Sequence, residues 1–286
     1  MNIEKVVVIG AGQMGTGIAQ VMAQSGLHVI LNDLSDEHVQ KGLGVIYNQL
    51  QRDVKKGRKT EEEKQEILER IQLSSNLSEA TDVQFVIEAA TEKLEVKKQI
   101  FKYLDEIVPN GAILASNTSS ISITEIAAVT KRPELVIGMH FFNPVPVMKL
   151  VEIIRGLATS DKTYEMIKSL TRTIEKEPVG VKDFPGFAAN RILVPMINEA
   201  IFCIYEGVST SEEIDNVMKL GMNHPMGPLQ LADFIGLDTV LSIMEVLHDG
   251  YGDPKYRPCP LLQQYVKAGW LGKKTGRGFY IYEGGK

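Results

Sequence analysis

The stretch KVVVIGAGQMGTGIAQ, residues 5–20, decides the fold. Val6–Ile9 form a β-branched run of the kind that fits a buried strand. Gly10-Ala11-Gly12-Gln13-Met14-Gly15 follows at once, and an amphipathic helical stretch then runs to about Gly26. This is G-x-G-x-x-G in its required setting, with a strand before it and a helix after it. Gly10 permits the tight turn, Gly12 lets the backbone approach a pyrophosphate, and Gly15 allows close packing of helix on strand. The first helical turn, carrying Gln13 and Met14, then offers its N–H groups and dipole to phosphates. A second run, HVILN (28–32), ends in Asp33. A carboxylate there accepts hydrogen bonds from adenosine ribose hydroxyls and repels a 2′-phosphate, which favours NAD over NADP while leaving NADP open.

Working outward, VQFVIEA (83–89), AILAS (112–116) and LVIGMH (135–140) are further strand candidates, separated by segments long enough for crossover helices. That is the βαβ rhythm of a doubly wound, Rossmann-type parallel sheet. Asp33, Glu88, Glu92, Ser116 through Ser120 and His140 all fall at or just past predicted strand ends, the edge where open parallel sheets bind ligands. Together they describe a lined cleft. Ser122 with Glu125 reads as a capping box, leaving Ser119 either to face the cleft or to serve in the turn.

The segment MHFFNPVPVMKLVEII (139–154) ends one apolar run in His140 and places Glu152 inside the next. Pro144 and Pro146 impose a tight, extended connection. A carboxylate flanked by aliphatic residues needs a partner, and His140 is the candidate. A His–Glu pair can act as a general base, or serve as a structural polar pair at a sheet edge.

Residues 36–72 read as a helical insertion broken at Gly57, with Thr60 and Glu63 capping its second helix. Its centre, RDVKKGRK (52–59), has five basic residues in eight. It is either a solvated helix end or a site for a substrate's phosphates.

Past the strand EPVGVKD (177–183) only helical periodicity continues, so the chain divides into residues 1–184 and an all-α unit at 185–286. The segment 186–207 supports a long helix, kinked at Pro195, with an apolar stripe at 194, 197, 201 and 204. Asn190 lies on that face, where its amide meets a ligand or nearby backbone. So many apolar positions in about a hundred residues suggest a dimer interface or burial against the first unit.

Composition bounds the rest. With 286 residues, 44% hydrophobic, 23% charged and a net charge of −5, the chain matches globular averages and lacks the basic footprint of a nucleic-acid binder. No apolar run is long enough to span a membrane. The start runs straight into a strand and carries Glu4 where a signal peptide would be basic. Cys203 and Cys259 fit no metal or redox spacing, so no metal site is expected, and isolated thiols point to the cytoplasm.

Taken together, VVVIGAGQMGTGIAQ, VIEAATE, SNTSSISITEIA, GMHFFNPVPVMKLVEII, the D-x-P-G-F-x-x-N-R run at 183–191, HPMGPLQLADFIGLD and KKTGRGFYIY resemble the 3-hydroxyacyl-CoA dehydrogenase family, in its short bacterial 3-hydroxybutyryl-CoA form. The resemblance implies a Rossmann domain, a helical C-terminal dimerisation domain and reversible NAD-dependent oxidation of an (S)-3-hydroxyacyl-CoA. It makes His140 the general base and Glu152 its orienting carboxylate, with Ser119 and Asn190 hydrogen-bonding the substrate. It places Asp33 at the adenosine ribose and Glu92 and Lys97 near the nicotinamide ribose. Asn117 and Lys274 also join the cofactor set, as does Asn143, which supports His140. Arg52 and Lys56 become candidates for the phosphates of CoA. The competing readings are a dehydrogenase of a free 3-hydroxy acid such as L-gulonate, and a dinucleotide-binding protein without chemistry.

Overall fold

Val6, Val7, Val8 and Ile9 are all buried. A strand apolar on both faces belongs at the centre of a sheet covered on both sides, and that is where this one lies. The computed structural model describes residues 3–282, and the chain divides into two units between Asp183 and Phe184.

In the first unit, β1 (Lys5–Ile9) leads through α1 (Gln13–Gln24) to β2 (His28–Asn32). A helical pair, α2 (Asp36–Lys55) and α3 (Glu61–Glu69), returns the chain to β3 (Ile71–Ser74). The chain then crosses to the other side of β1 as β4 (Phe85–Glu88), α4 (Leu94–Ile107), β5 (Ile113–Ser116), α5 (Ile123–Ala127) and β6 (Val136–Phe141). It closes with β7 (Leu150–Arg155), α6 (Asp161–Thr173) and β8 (Glu177–Lys182). The strand order is β3-β2-β1-β4-β5-β6-β7-β8, parallel throughout except where β7 runs against β6. The order reverses between β1 and β4, the switch point where such sheets open a crevice at their C-terminal edge.

Strand β3 corrects the sequence reading, which extended a helical insertion to residue 72. The helical pair is the β2–β3 crossover itself. Four residues with only two of them buried carry too weak an alternation to announce a strand at a sheet edge. The break at Gly57 and the reciprocal Thr60–Glu63 capping box are as expected. Ser122 accepts from the Glu125 N–H, but Glu125 does not complete the expected box, and the first N–H groups of the helix go to a different carboxylate. Asp183, at the end of β8, accepts from the Ser122 hydroxyl at 2.8 Å and from the Ile123 and Thr124 N–H groups at 3.1 and 2.7 Å. Glu125 instead pairs with Lys98.

The second unit is helical: α7 (Ala189–Tyr205), α8 (Ser211–Asn216), a π-turn at Val217–Gly221, α9 (Pro228–Ile235), α10 (Leu237–Tyr251) and α11 (Pro260–Lys267). Its core gathers Val194, Ile197, Ile201, Leu229, Val240, Met244 and Leu262. Asp233 pins the aromatic tail by accepting from the Phe279 and Tyr280 N–H groups and the Tyr282 hydroxyl.

Candidate active site

The turn after β1 is built for close approach. Gly10 has φ +100°, and a Cβ there would lie 2.6 Å from the Ala89 carbonyl oxygen. A Cβ on Gly15 would collide with the Gly10 carbonyl, so helix and turn meet backbone to backbone. At Gly12 a Cβ would meet nothing within 4 Å, which leaves the backbone open at the mouth of the turn. Gly12 is also the N-cap of α1 and supplies no capping side chain. The Asp33 carboxylate accepts from Ala11 N–H at 2.6 Å, Leu34 N–H at 2.7 Å and His38 Nδ1 at 3.2 Å. Burial pushes its carboxyl up, but the two backbone N–H groups and His38 outweigh it and hold it below the usual range. An open glycine cradle, an uncapped helix start and an ionised carboxylate one strand away fit a dinucleotide.

The middle of the edge differs from the sequence reading. Glu88 does not line a cleft. It is fully buried and accepts from Lys97 Nζ at 2.8 and 2.7 Å, from the Ser116 hydroxyl at 2.7 Å and from Ala90 N–H. Lys97 is equally buried, so its ammonium is committed to Glu88 rather than to the cleft, with Glu92 3.4 Å away. Burying this lysine and glutamate is tolerable because they neutralise each other and their remaining bonds are made. Glu92 collects the serine turn: Oε1 accepts from the Thr118 hydroxyl, from Ser119 N–H at 2.8 Å and its hydroxyl at 3.2 Å, and from Ser120. Burial pushes the Glu92 carboxyl up, yet Lys97 and these donors bring it below its ordinary value.

At the far side the antiparallel register sets His140 directly opposite Glu152, and His140 Nδ1 lies 2.8 Å from Glu152 Oε2. Both are buried, and the Phe142 ring sits 4.5 Å from the imidazole. A carboxylate at Nδ1 favours the tautomer that donates from that nitrogen, in which Nε2 is the nitrogen able to accept a proton. Asn117 Oδ1 accepts from Phe141 N–H at 2.9 Å, tying the end of β5 to that of β6. Asn143 pairs with the dinucleotide turn, its Oδ1 accepting from Gln13 Nε2 at 3.0 Å. Asp33, Glu92, Asn117, Asn143, His140 and Glu152 thus share one edge of one sheet.

Other expected residues lie elsewhere. Arg52 and Lys56 are exposed at the C-terminal end of α2. Asn190 is buried in the first turn of α7, in the second unit. Lys274, also in the second unit, is held by Asp238 at 2.5 and 2.7 Å. The sequence reading passed over Lys176 and gave Asp183 no role of its own. Lys176 sits in a charged string, EKE, that reads as solvated surface.

Residues 5–184 match the family model described as 3-hydroxyacyl-CoA dehydrogenase, NAD binding domain, and residues 186–282 match its C-terminal domain. The chain belongs to the 3-hydroxyacyl-CoA dehydrogenase family, a family of NAD-dependent oxidoreductases. It is 62% identical to a Bacillus subtilis protein named "Probable 3-hydroxybutyryl-CoA dehydrogenase", with 99% of each chain covered. It is 57% identical to the 3-hydroxybutyryl-CoA dehydrogenase of Bradyrhizobium diazoefficiens, over 99% of this chain and 97% of that one. The crystal structure of the (S)-3-hydroxybutyryl-CoA dehydrogenase of Ralstonia eutropha superposes with a TM-score of 0.97 at 54% identity, covering 99% of this chain and 100% of that chain.

Proposed function

We propose that the chain interconverts (S)-3-hydroxybutyryl-CoA and acetoacetyl-CoA with NAD, and that His140 is the proton acceptor. The observation that carries this is the 2.8 Å His140–Glu152 pair, held in β-register on the edge that also carries the glycine turn and Asp33. Bound NAD supplies the hydride acceptor. As the C3–H bond breaks and its electron pair leaves as hydride, the C3 hydroxyl proton goes to His140 Nε2 and the C3–O bond becomes a carbonyl. Glu152 stabilises the imidazolium so formed and keeps the ring in the tautomer that can accept. Ser119 and Asn190 are assigned to hydrogen bonds with the substrate. Asp33 is assigned to the adenosine ribose, and Glu92, with Lys97 behind it, to the nicotinamide ribose. Gly10, Gly12, Gln13, Met14 and Gly15 are assigned to the pyrophosphate, Asn117, Asn143 and Lys274 to the cofactor set, and Arg52 and Lys56 to the phosphates of CoA.

The same reading makes the protein a cytoplasmic homodimer. Supporting it are the free thiols of Cys203 and Cys259, and an apolar groove of about 440 Å³ that includes Met196, Cys203, Val208, Val217 and Met218. Leu220 and Met222 are exposed beyond it at 85% and 62%. The deciding experiment follows NADH absorbance on adding acetoacetyl-CoA, beside free 3-oxo acids as competitors. Oxidation with the thioester alone is expected, and turnover of the free acids only would overturn the substrate assignment.

A further inference from the structure

Lys176 carries two features that need explaining. Its side chain is buried at 7% exposure, and among the described residues no carboxylate lies within ion-pair distance of its ammonium. The residue before it, Glu175, has φ +58°, in the left-handed region where a side chain costs about 1 kcal/mol. A buried ammonium lacking a counter-ion is unfavourable unless its hydrogen bonds are made, and here they go to main chain. Nζ donates to the Val145 carbonyl at 2.6 Å and to the Met148 carbonyl at 2.8 Å. Burial and neighbouring Lys149 push the ammonium below its ordinary value, with Glu175 opposing.

Both carbonyls belong to residues 142–149, the connection between β6 and β7. That connection leaves His140 at one end and arrives at Glu152 at the other. Along its length it touches the dinucleotide turn once and the helix that follows the turn once. Asn143 bonds Gln13 at the start of α1, and Val145 packs so closely on α1 that a Cβ on Gly17 would lie 2.8 Å from its own Cβ. The main chain of β8 adds a further tie, Glu177 N–H donating to the Lys149 carbonyl at 2.8 Å.

We propose that Lys176 is a positioning residue of this active site: from behind the sheet edge it pins the 142–149 connection, so that Asn143 meets the glycine turn while His140 and Glu152 stay opposed. The strained residue and the buried cation are then the conditions for aiming two N–H bonds at the main chain of a loop whose own side chains, Asn143 and Val145, reach toward α1 rather than toward β8. The proposal rests on the His140–Glu152 reading above.

The test compares Lys176→Met, which keeps the stem and loses the donors, with Lys176→Arg, which keeps a buried cation, in the full chain at a temperature well below unfolding. Lys176→Met is expected to raise KM for NADH and lower kcat, each about tenfold, with KM for acetoacetyl-CoA held within about twofold. Lys176→Arg is expected to recover most of both losses. Asn143→Ala should raise KM for NADH in the parent and add little in the Lys176→Met background, because both break the same link. A Lys176→Met enzyme with a lowered Tm but parental kcat and KM for NADH overturns the proposal, as does an equal loss across all kinetic parameters without rescue by arginine. Should Lys176→Met fail to fold, Lys176→Gln, which can still donate to one carbonyl, is read by the same criteria. A fully active Glu152→Gln control would sink the dyad reading instead, so the two failures are distinguishable.

Discussion

His140 and Glu152 are twelve positions apart in the chain yet directly opposite in the sheet, because an antiparallel register converts sequence spacing into contact. A neutral amide at 152 keeps the shape and removes the charge that stabilises an imidazolium. Glu152→Gln is therefore expected to lower kcat by on the order of 10²–10⁴ with little change in Tm or in KM for NADH. Stopped-flow NADH oxidation checks it, and a loss below about fivefold would return the pair to a structural role. Asp33 allows a statement about pH. Its folded carboxyl lies below the ordinary value, so its contribution to stability is fully present above the unfolded value of about 4 and is lost as pH falls through the folded one. Asp33→Asn lacks that ionisation. The Tm difference between parent and variant should therefore shrink on acidification below about pH 4, and a gap constant from neutral to pH 3 would contradict the assignment.

The elements show where local rules sufficed and where long-range ones took over. Strand β1, its turn and α1 are readable directly, because glycine spacing, β-branching and helical periodicity agree over a few consecutive residues. The capping box of α3 is equally local. The start of α5 is not: Ser122 looks like half of such a box, but the carboxylate that takes its hydroxyl and the first N–H groups of the helix is Asp183, 61 positions on. Asp183→Ala removes a carboxylate that accepts three bonds at that helix start, and should cost about 1–3 kcal/mol, seen as a lower Tm in calorimetry. Glu125→Ala should cost a few tenths at most, since its partner Lys98 is at the surface. The reverse order of effects would mean that the local box, not Asp183, holds the turn carrying Ser119.

For the whole molecule, the two units have separate cores, and each matches its own domain of the family. On the proposed assignment, the exposed bases of α2 act on CoA through charge, at one end of the substrate. Arg52→Glu with Lys56→Glu is accordingly expected to raise KM for acetoacetyl-CoA at least tenfold at low salt while leaving KM for NADH unchanged, the gap narrowing in high salt. Sedimentation equilibrium should give twice the 31.7 kDa chain mass, and Leu220→Glu with Met222→Glu should return it toward the single-chain value. A parent mass of one chain would remove the dimer.

From its sequence alone this protein declared a parallel α/β sheet, a glycine turn for a dinucleotide, an acidic residue just past the second strand and a histidine worth pairing with a glutamate. Each of those signals is local, set by backbone conformation or by period within one element. What only the tertiary structure decided is which of the charged residues at the sheet edge remain available. Glu88 and Lys97 neutralise each other in the core, Glu92 gathers the serine turn, and Lys176 stabilises a loop from behind. Burial and long-range pairing set those fates, and neither can be computed from spacing because partners 9 to 31 positions apart, on helices and loops as well as strands, meet only in the folded chain.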